Sequence, residues 1–442
     1  MITRETPGTP GIKKQAIVIV DGFATSGRVL ASRFLMKGIP CIEVLSHVEF
    51  PEKYLKKNHA EDYLQDPLFE KKIVFDGEDY SSVIRALADY HVLGVIPGSE
   101  MGVIVADALS ERMGLYSNGT RRSAARRNKH LMQHALIDAG VMAKQFICTH
   151  DEKDLLAWFR AGGFQEIVIK PMSSASTEGV TFCKTEEEIQ HAFRELLGTT
   201  NHFGDKNTEV LAEERLFGTE FGVNTVSWNG KHRLAELWQY KKVKVEGVGN
   251  VYDCTRLCDW PGDDLKPLVE YAFRALDALG IRYGAAHTEI MLTEKGPLLI
   301  ESGARIMGGT IPPDLILSCS GQCQVDLMVE AYTDPEGFTT RVDAPYHLSR
   351  HMIRKHLIAR HEGTPEGEIA AIEMLAGLRS CAKGDFVNLI SDWYVPRTVD
   401  MMTSPAKVFL IHDDPHVILE DYHRIRTFET SGEAEFFCVK AK

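Results

Sequence analysis

Two carboxylates define the chemistry open to this chain. Glu289 and Glu301 lie in the runs AAHTEIML and GPLLIESGA, joined by a Glu-Lys-Gly turn. Short apolar runs around such a turn predict a β-hairpin. A hairpin brings both acids to one spot with little loss of chain entropy. Arg305 and the pair Gly308-Gly309 follow within a few residues. Two hard oxygen donors beside an arginine suit Mg²⁺ and phosphate better than acid–base work. The plainer reading of the same segment is a hairpin with two solvated glutamates.

The elements that must position these acids begin far upstream. AIVIVD, residues 16–21, is a β-branched apolar run that reads as a buried first strand. The turn GFATSG leads into the helix GRVLASRFLMKG, and IPCIEVL and HVLGVIPGSE read as further strands. This alternation predicts a parallel sheet up to about residue 117. GFATSG lacks the G-x-G-x-x-G pattern, which argues against a dinucleotide site with Glu43 as its ribose acid. Arg121, Arg122, Arg126, Arg127 and Lys129 then crowd together before the helix LMQHALIDAG. They read as a solvated basic helix face or as a phosphate-attracting patch.

EIVIK is a strand ending in Lys170, and Pro171 closes it. SSASTEG, residues 173–179, is a loop of small hydroxyl residues through which backbone N–H groups can approach phosphate oxygens. It is not a Walker loop; an unliganded hairpin connection is the alternative. VLAEE and TEFGVNTVSW read as strands around a break at LFG, with Glu213, Leu216 and Glu220 about that break. LKPLVEYAFRALDAL has helical periodicity. LILSCSGQCQVDLMVEAY reads as one further helix, and segment 238–256 as a border of the substrate pocket. HLSRHMIRKHLIARH is ambiguous between helix and strand, and His347 and His351 read as surface histidines because no Glu-x-x-His surrounds them. KVFLIH reads as a strand, followed by an Asp414 cap, Pro415 at the first helical position and an amphipathic helix.

Composition bounds the function classes. The chain has 442 residues, 44% hydrophobic and 25% charged, which is ordinary for a globular protein. A formal net charge of −12 argues against nucleic acid or an anionic membrane as the main partner. No run of about 18 apolar residues suggests a membrane span, and MITRETPGTPGIKK has no apolar h-region. Nine scattered cysteines fit reduced thiols and a cytoplasmic location. The Cys254/Cys258 and Cys319/Cys323 spacings are not those of a zinc site and read as small buried residues.

In this order the segments resemble an ATP-grasp enzyme, most similar to the L-amino-acid ligase branch of carboxylate–amine ligases. The resemblance covers roughly residues 15–335. It implies an α/β fold, α+β in the ATP clamp: an N-terminal parallel-sheet domain (1–117), a small central lid domain (118–210) and a large antiparallel-sheet catalytic domain (211–340). Residues 341–442 are then an extension packed on the catalytic domain. The resemblance implies that Lys129 and Lys170 approach the ATP phosphates, and that Ser173, Ser174, Ser176 and Gly179 belong to a loop closing over them. It implies adenine held through the backbone around Glu213 and Leu216, and the ribose held by Glu220. Glu289 and Glu301 match the Mg²⁺ carboxylates, with two ions expected and Mn²⁺ as an alternative. Arg305 matches the arginine that steadies the transferring phosphoryl group. Many members read Glu-x-Asn-x-Arg here, whereas this chain has Gly303 at the Asn position. His287 precedes Glu289 by two residues and should share its face; substrate binding, proton handling and simple packing all remain open for it. Gly308 and Gly309 either leave room for a substrate or offer it backbone N–H groups. The implied partners are small-molecule amino acids, with neither nucleic acid nor membrane, and a homodimer is left open.

A loop of small residues between two strands should be accessible when empty and covered when phosphate is bound. Mg²⁺-ATP is therefore expected to protect residues 173–179 in limited proteolysis. Equal cleavage with and without nucleotide would remove the lid reading.

Overall fold

The computed structural model describes residues 13–46, 67–172, 179–201, 206–246, 248–309, 311–363, 373–385 and 395–430. Ser173, Ser174 and Ser176 lie outside these.

Strands β1 (Lys14–Val20), β2 (Cys41–Leu45), β3 (Phe69–Val74) and β4 (Tyr90–Pro97) form a parallel sheet in the order β3-β2-β1-β4. The sequence reading found all but β3. FEKKIV carries charges and is only partly buried because it forms the edge, where lysines discourage further pairing. Helices α1 (Thr25–Met36), α2 (Tyr80–Ala86) and α3 (Val103–Arg112) accompany this sheet. Glu43 is fully buried in β2 and faces Lys72 at 3.4 Å, so it is not a ribose acid.

Helix α4 (Lys129–Asp138) starts at Asn128, whose side chain accepts from the Leu131 N–H, and Gly140 follows its end at φ +68°. The basic cluster before it is neither a solvated face nor wholly a phosphate patch. Arg126 is fully buried, pairs with Asp107 and donates to the carbonyls of Asn118, Gly119 and Leu279. Arg122 donates to the Ala278 carbonyl. These arginines tie loop 118–127 to the rest of the molecule.

A small antiparallel sheet follows, in the order β5-β8-β6-β7, from β5 (Phe146–Thr149), β6 (Ile167–Lys170), β7 (Thr181–Cys183) and β8 (Val210–Glu214). Helices α5 (Glu152–Gly162) and α6 (Glu186–Leu196) pack on it, and Thr185 with Glu188 forms a capping box at the start of α6.

The large sheet has eight strands in the order β13-β12-β9-β10-β11-β14-β16-β15, all antiparallel. They are β9 (Thr219–Trp228), β10 (Lys231–Val245), β11 (Gly249–Cys258), β12 (Gly284–Thr293), β13 (Gly296–Gly303), β14 (His351–His356), β15 (Cys381–Asp385) and β16 (Lys407–His412). Helix α7 (Lys266–Ala278) covers one face. The single helix expected over LILSCSGQCQVDLMVEAY is two, α8 (Pro313–Ser320) and α9 (Gln324–Thr333), broken where Gly321 adopts φ +72°. Helix α10 (Pro335–Thr340) follows. The ambiguous segment resolves as strand β14, and α11 (Pro415–Thr430) starts at the expected Asp414 cap. Strands β14 to β16 thus continue the sheet that carries Glu289. Among the described residues no helix is long and apolar enough to cross a membrane.

Arg126→Met is expected to cost about 3–5 kcal/mol, because it strands the buried Asp107 carboxylate. Urea denaturation measures it, and a loss below about 1 kcal/mol would contradict the clamp.

Candidate functional site

The hairpin β12–β13 sets Glu289 and Glu301 directly opposite one another. Partners across an antiparallel pair share a face. The same register places His287 opposite Asn224, Glu289 opposite Gly222 and Met291 opposite Glu220. One face of the large sheet therefore gathers most of the expected site.

Glu301 receives the Lys129 ammonium from α4 at 2.9 Å. Burial pushes the Glu301 carboxyl up, but Lys129, Lys170 and Arg305 outweigh it and hold the group down to about 2. Arg305 lies beside Glu100 at 2.7 Å. A side chain at Gly303 would put its Cβ 2.9 Å from Glu100 Oε2. The glycine at the usual Asn position thus leaves space that Glu100 and Arg305 occupy.

His287 is buried, with Nδ1 2.7 Å from Asn224 Oδ1. Asn224 donates its amide N–H to Glu236, so Oδ1 accepts and His287 Nδ1 carries the proton. Nε2 is then free to accept from Tyr240 Oη at 3.3 Å, and Glu289 Oε1 lies 3.3 Å away. Glu220 takes both its contacts, 2.9 and 2.7 Å, from Lys242. Burial raises the Glu220 pKa, the Lys242 charge opposes this, and the Glu289 charge adds to the rise. Beside Glu220, Leu216, Met291, Leu298 and Ile300 form a small apolar patch.

Lys170 ends β6 and reaches Glu213 at 2.6 Å; Lys144 reaches the same carboxylate oxygen at 2.8 Å and donates to the Ile300 carbonyl at 3.0 Å. Glu213 therefore offers its side chain to two ammonium groups, a role the sequence did not suggest. One carboxylate against two buried ammoniums leaves surplus positive charge. Burial pushes Lys144 down to about 8, against the pull of Glu213 and with the help of the Lys170 charge. Gly179, at φ +65°, stands where the loop returns to β7.

Gly308 and Gly309 continue from Arg305. A Cβ at Gly308 would lie 3.8 Å from Arg305 Nη1, and one at Gly309 would lie 3.6 Å from Arg354 Nη1. His347 is exposed, with Asp259 at 3.6 Å.

Among the described residues no three His, Cys, Asp or Glu side chains form a metal cage. Mg²⁺ does not require one: it is held by one or two carboxylates together with substrate phosphates and water. The paired acids Glu289 and Glu301, with Lys129 on Glu301 and with Lys170 and Lys144 sharing Glu213, fit such a shared ion.

Comparison with known proteins identifies the family and the fold. Residues 127–308 match the family described as phosphoribosylglycinamide synthetase, ATP-grasp (A) domain. Dapdiamide A synthase of Enterobacter agglomerans is 31% identical over 425 residues, spanning 94% of this chain and 96% of that protein. The chain belongs to the ATP-grasp ligases. The L-amino acid ligase of Bacillus licheniformis shares its fold, with a TM-score of 0.67 at 17% identity over 94% of this chain and 98% of that one. So does the phosphoribosylglycinamide synthetase of Anaerococcus prevotii, with a TM-score of 0.62 at 14% identity, covering 94% and 98% of the two chains. The enzyme is an ATP-dependent, ADP-forming carboxylate–amine ligase.

Sequence reasoning missed Glu100, Lys144, Asn224, Tyr240, Lys242 and Arg354. Glu100 had a signal: it follows β4 at the carboxyl end of a parallel strand, where open α/β sheets bind ligands. Tyr240 and Lys242 lie in the segment flagged as a pocket border. Lys144 sits in a short loop before β5 and carries no pattern.

The surplus charge generates a titration. A polyphosphate beside Lys170 and Lys144 favours the charged amine, so ATP binding should raise the Lys144 pKa from about 8. Near pH 8, calorimetry in buffers of different ionisation enthalpy is expected to report proton uptake on ATP binding, fading toward pH 6. Proton release or no exchange would contradict the arrangement.

Proposed function

We propose that the enzyme activates the carboxylate of one L-amino acid and condenses it with the amine of a second, yielding a dipeptide, ADP and phosphate. The observation that carries this reading is the pairing of Arg305 with Glu100 at the end of the acid–lysine cluster. A guanidinium and a carboxylate side by side complement a substrate that brings both a carboxylate and an ammonium group. The whole-length relative and the fold shared with an L-amino acid ligase support it.

In this reading Lys129, Lys170 and Lys144 hold the ATP phosphates, and Gly179 with Ser173, Ser174 and Ser176 closes over them. Adenine lies on the apolar patch of Leu216 and Met291, next to the strand end at Glu213, and the ribose hydroxyls meet Glu220. Glu289 and Glu301 hold Mg²⁺, as one or two ions, with Mn²⁺ as the alternative. The metal supplies Lewis-acid neutralisation of charge on the phosphate oxygens.

A free carboxylate resists attack by an amine because oxide is its leaving group. An oxygen of the first carboxylate attacks the γ-phosphorus, the bond to ADP breaks, and an acyl phosphate forms. Arg305 and the lysines face the oxygens on which charge builds. The neutral amine of the second amino acid then attacks the acyl carbon, and phosphate departs with the original carboxylate oxygen. His287, fixed by Asn224 and Tyr240, stands beside Glu289 and borders this second substrate. Gly308 and Gly309 leave room for it.

A screen of amino-acid pairs for Mg²⁺- and ATP-dependent phosphate release tests the reading, with ADP and a dipeptide expected. Release of phosphate only with a carboxylate or amine that is not an amino acid would overturn it. Glu289→Gln and Glu301→Gln are each expected to lower kcat by about 10²-fold or more with circular dichroism unchanged. A variant keeping more than about a tenth of the rate would contradict the metal role.

A further inference from the structure

The register across the large sheet continues beyond the expected site. Met291, Glu220, Tyr240, Thr255 and Arg354 are successive cross-strand partners on β12, β9, β10, β11 and β14. Arg354 therefore stands on the face that carries Glu289 and Glu301, in a segment for which sequence analysis offers no functional reading.

Arg354 is buried, and burial lowers its pKa. Its contacts are Thr255 Oγ1 at 3.2 Å and the Gly309 carbonyl. Among the described residues no carboxylate pairs with it. The acid nearest in charge, Glu236, is already engaged by Asn224, Trp238 and the Gln324 N–H. A buried guanidinium is costly without an anion. Next to it on the same strand face, His356 is fully buried, and neither ring nitrogen has a hydrogen-bond partner among the described residues. Two polar groups left short of partners in one interior corner point to a ligand that supplies acceptors.

The position of that corner narrows the ligand. Arg305 flanks Gly308 and Arg354 flanks Gly309. From those contacts and ~3.8 Å between successive Cα atoms, the two guanidinium groups stand no further than roughly 14 Å apart. An acyl phosphate held at Arg305, followed by one amino acid in line for attack, spans a distance of that order. The far end of that amino acid is its carboxylate.

We propose that Arg354 binds the α-carboxylate of the amine-donating amino acid, with His356 as a further donor and the Gly309 backbone as the floor. This assignment rests on the dipeptide-forming reading above and gives its second substrate a recognition site. An amine donor with a free carboxylate is then favoured over one whose carboxylate is capped.

The test compares each amine donor with its α-carboxamide in wild type, Arg354→Gln and Arg354→Lys. The quantity read is the ratio of kcat/KM for acid over amide, which is independent of how much of a variant is folded. The ratio should fall by about 30-fold or more in Arg354→Gln, since a buried charge-paired contact is lost. It should fall less in Arg354→Lys, and KM for ATP and for the first amino acid should stay within about twofold. An unchanged ratio in Arg354→Gln would overturn the proposal. So would a tolerated α-carboxamide combined with a demand for aspartate or glutamate as donor, because Arg354 would then read a side chain. If no amino-acid pair supports turnover in wild type, the functional reading fails, and binding alone decides on Arg354. Glycine and glycinamide are then titrated calorimetrically into the protein with Mg²⁺ and a non-hydrolysable ATP analogue. A glycine site lost in Arg354→Gln and absent for glycinamide supports the carboxylate site; identical binding in both proteins overturns it.

Discussion

Two like charges face each other across one hairpin, and the surrounding structure answers that constraint. Glu289 and Glu301 are direct cross-strand partners. Like charges so placed destabilise a sheet unless cations stand nearby. The nearest is Lys129, and it comes from outside the sheet, from the first turn of a helix whose start is fixed by the Asn128 cap. That pair ties the loop-and-helix segment after the first sheet to the hairpin β12–β13. The buried Arg126–Asp107 clamp holds the same segment from its other end. Fold stability and charge placement are thus carried by the same residues.

Charge is left deliberately uneven over the rest of the site. Glu213 serves two ammonium groups, and Arg354 has no carboxylate of its own among the described residues. Each excess costs free energy in the empty protein. Each is also offset when an anion arrives, so part of the desolvation cost of binding is borne before the ligand appears. Around one face of the large sheet meet the two facing acids, Lys129 from a helix, Lys170 from the small sheet, and the arginines Arg305 and Arg354.

Legibility in the sequence followed the range of the interactions. The hairpin, β1, β6, β9, α7 and the Asp414-capped helix were readable because turn chemistry, periodicity and caps are local signals. The acids Glu289 and Glu301 stood out on that hairpin, whereas Lys129 and Lys170 drew a phosphate role from the resemblance to ATP-grasp enzymes. Gly321 hid in an apolar run and broke one expected helix into two. Arg126 looked like a surface charge, and only the tertiary structure supplies the carbonyls and the Asp107 carboxylate that bury it. Lys144, Glu100 and Arg354 are distant in sequence from their partners Glu213, Arg305 and Gly309. No spacing rule connects such residues, because the connection is made by strand order in a sheet.

The central claim is that a carboxylate oxygen is phosphorylated before the new bond forms. The fate of that oxygen tests it most directly. With ¹⁸O in both carboxylate oxygens of the first amino acid, one label is expected in the released inorganic phosphate and one in the new amide, with unlabelled ADP. Label in AMP, or phosphate free of label while dipeptide accumulates, would contradict the account.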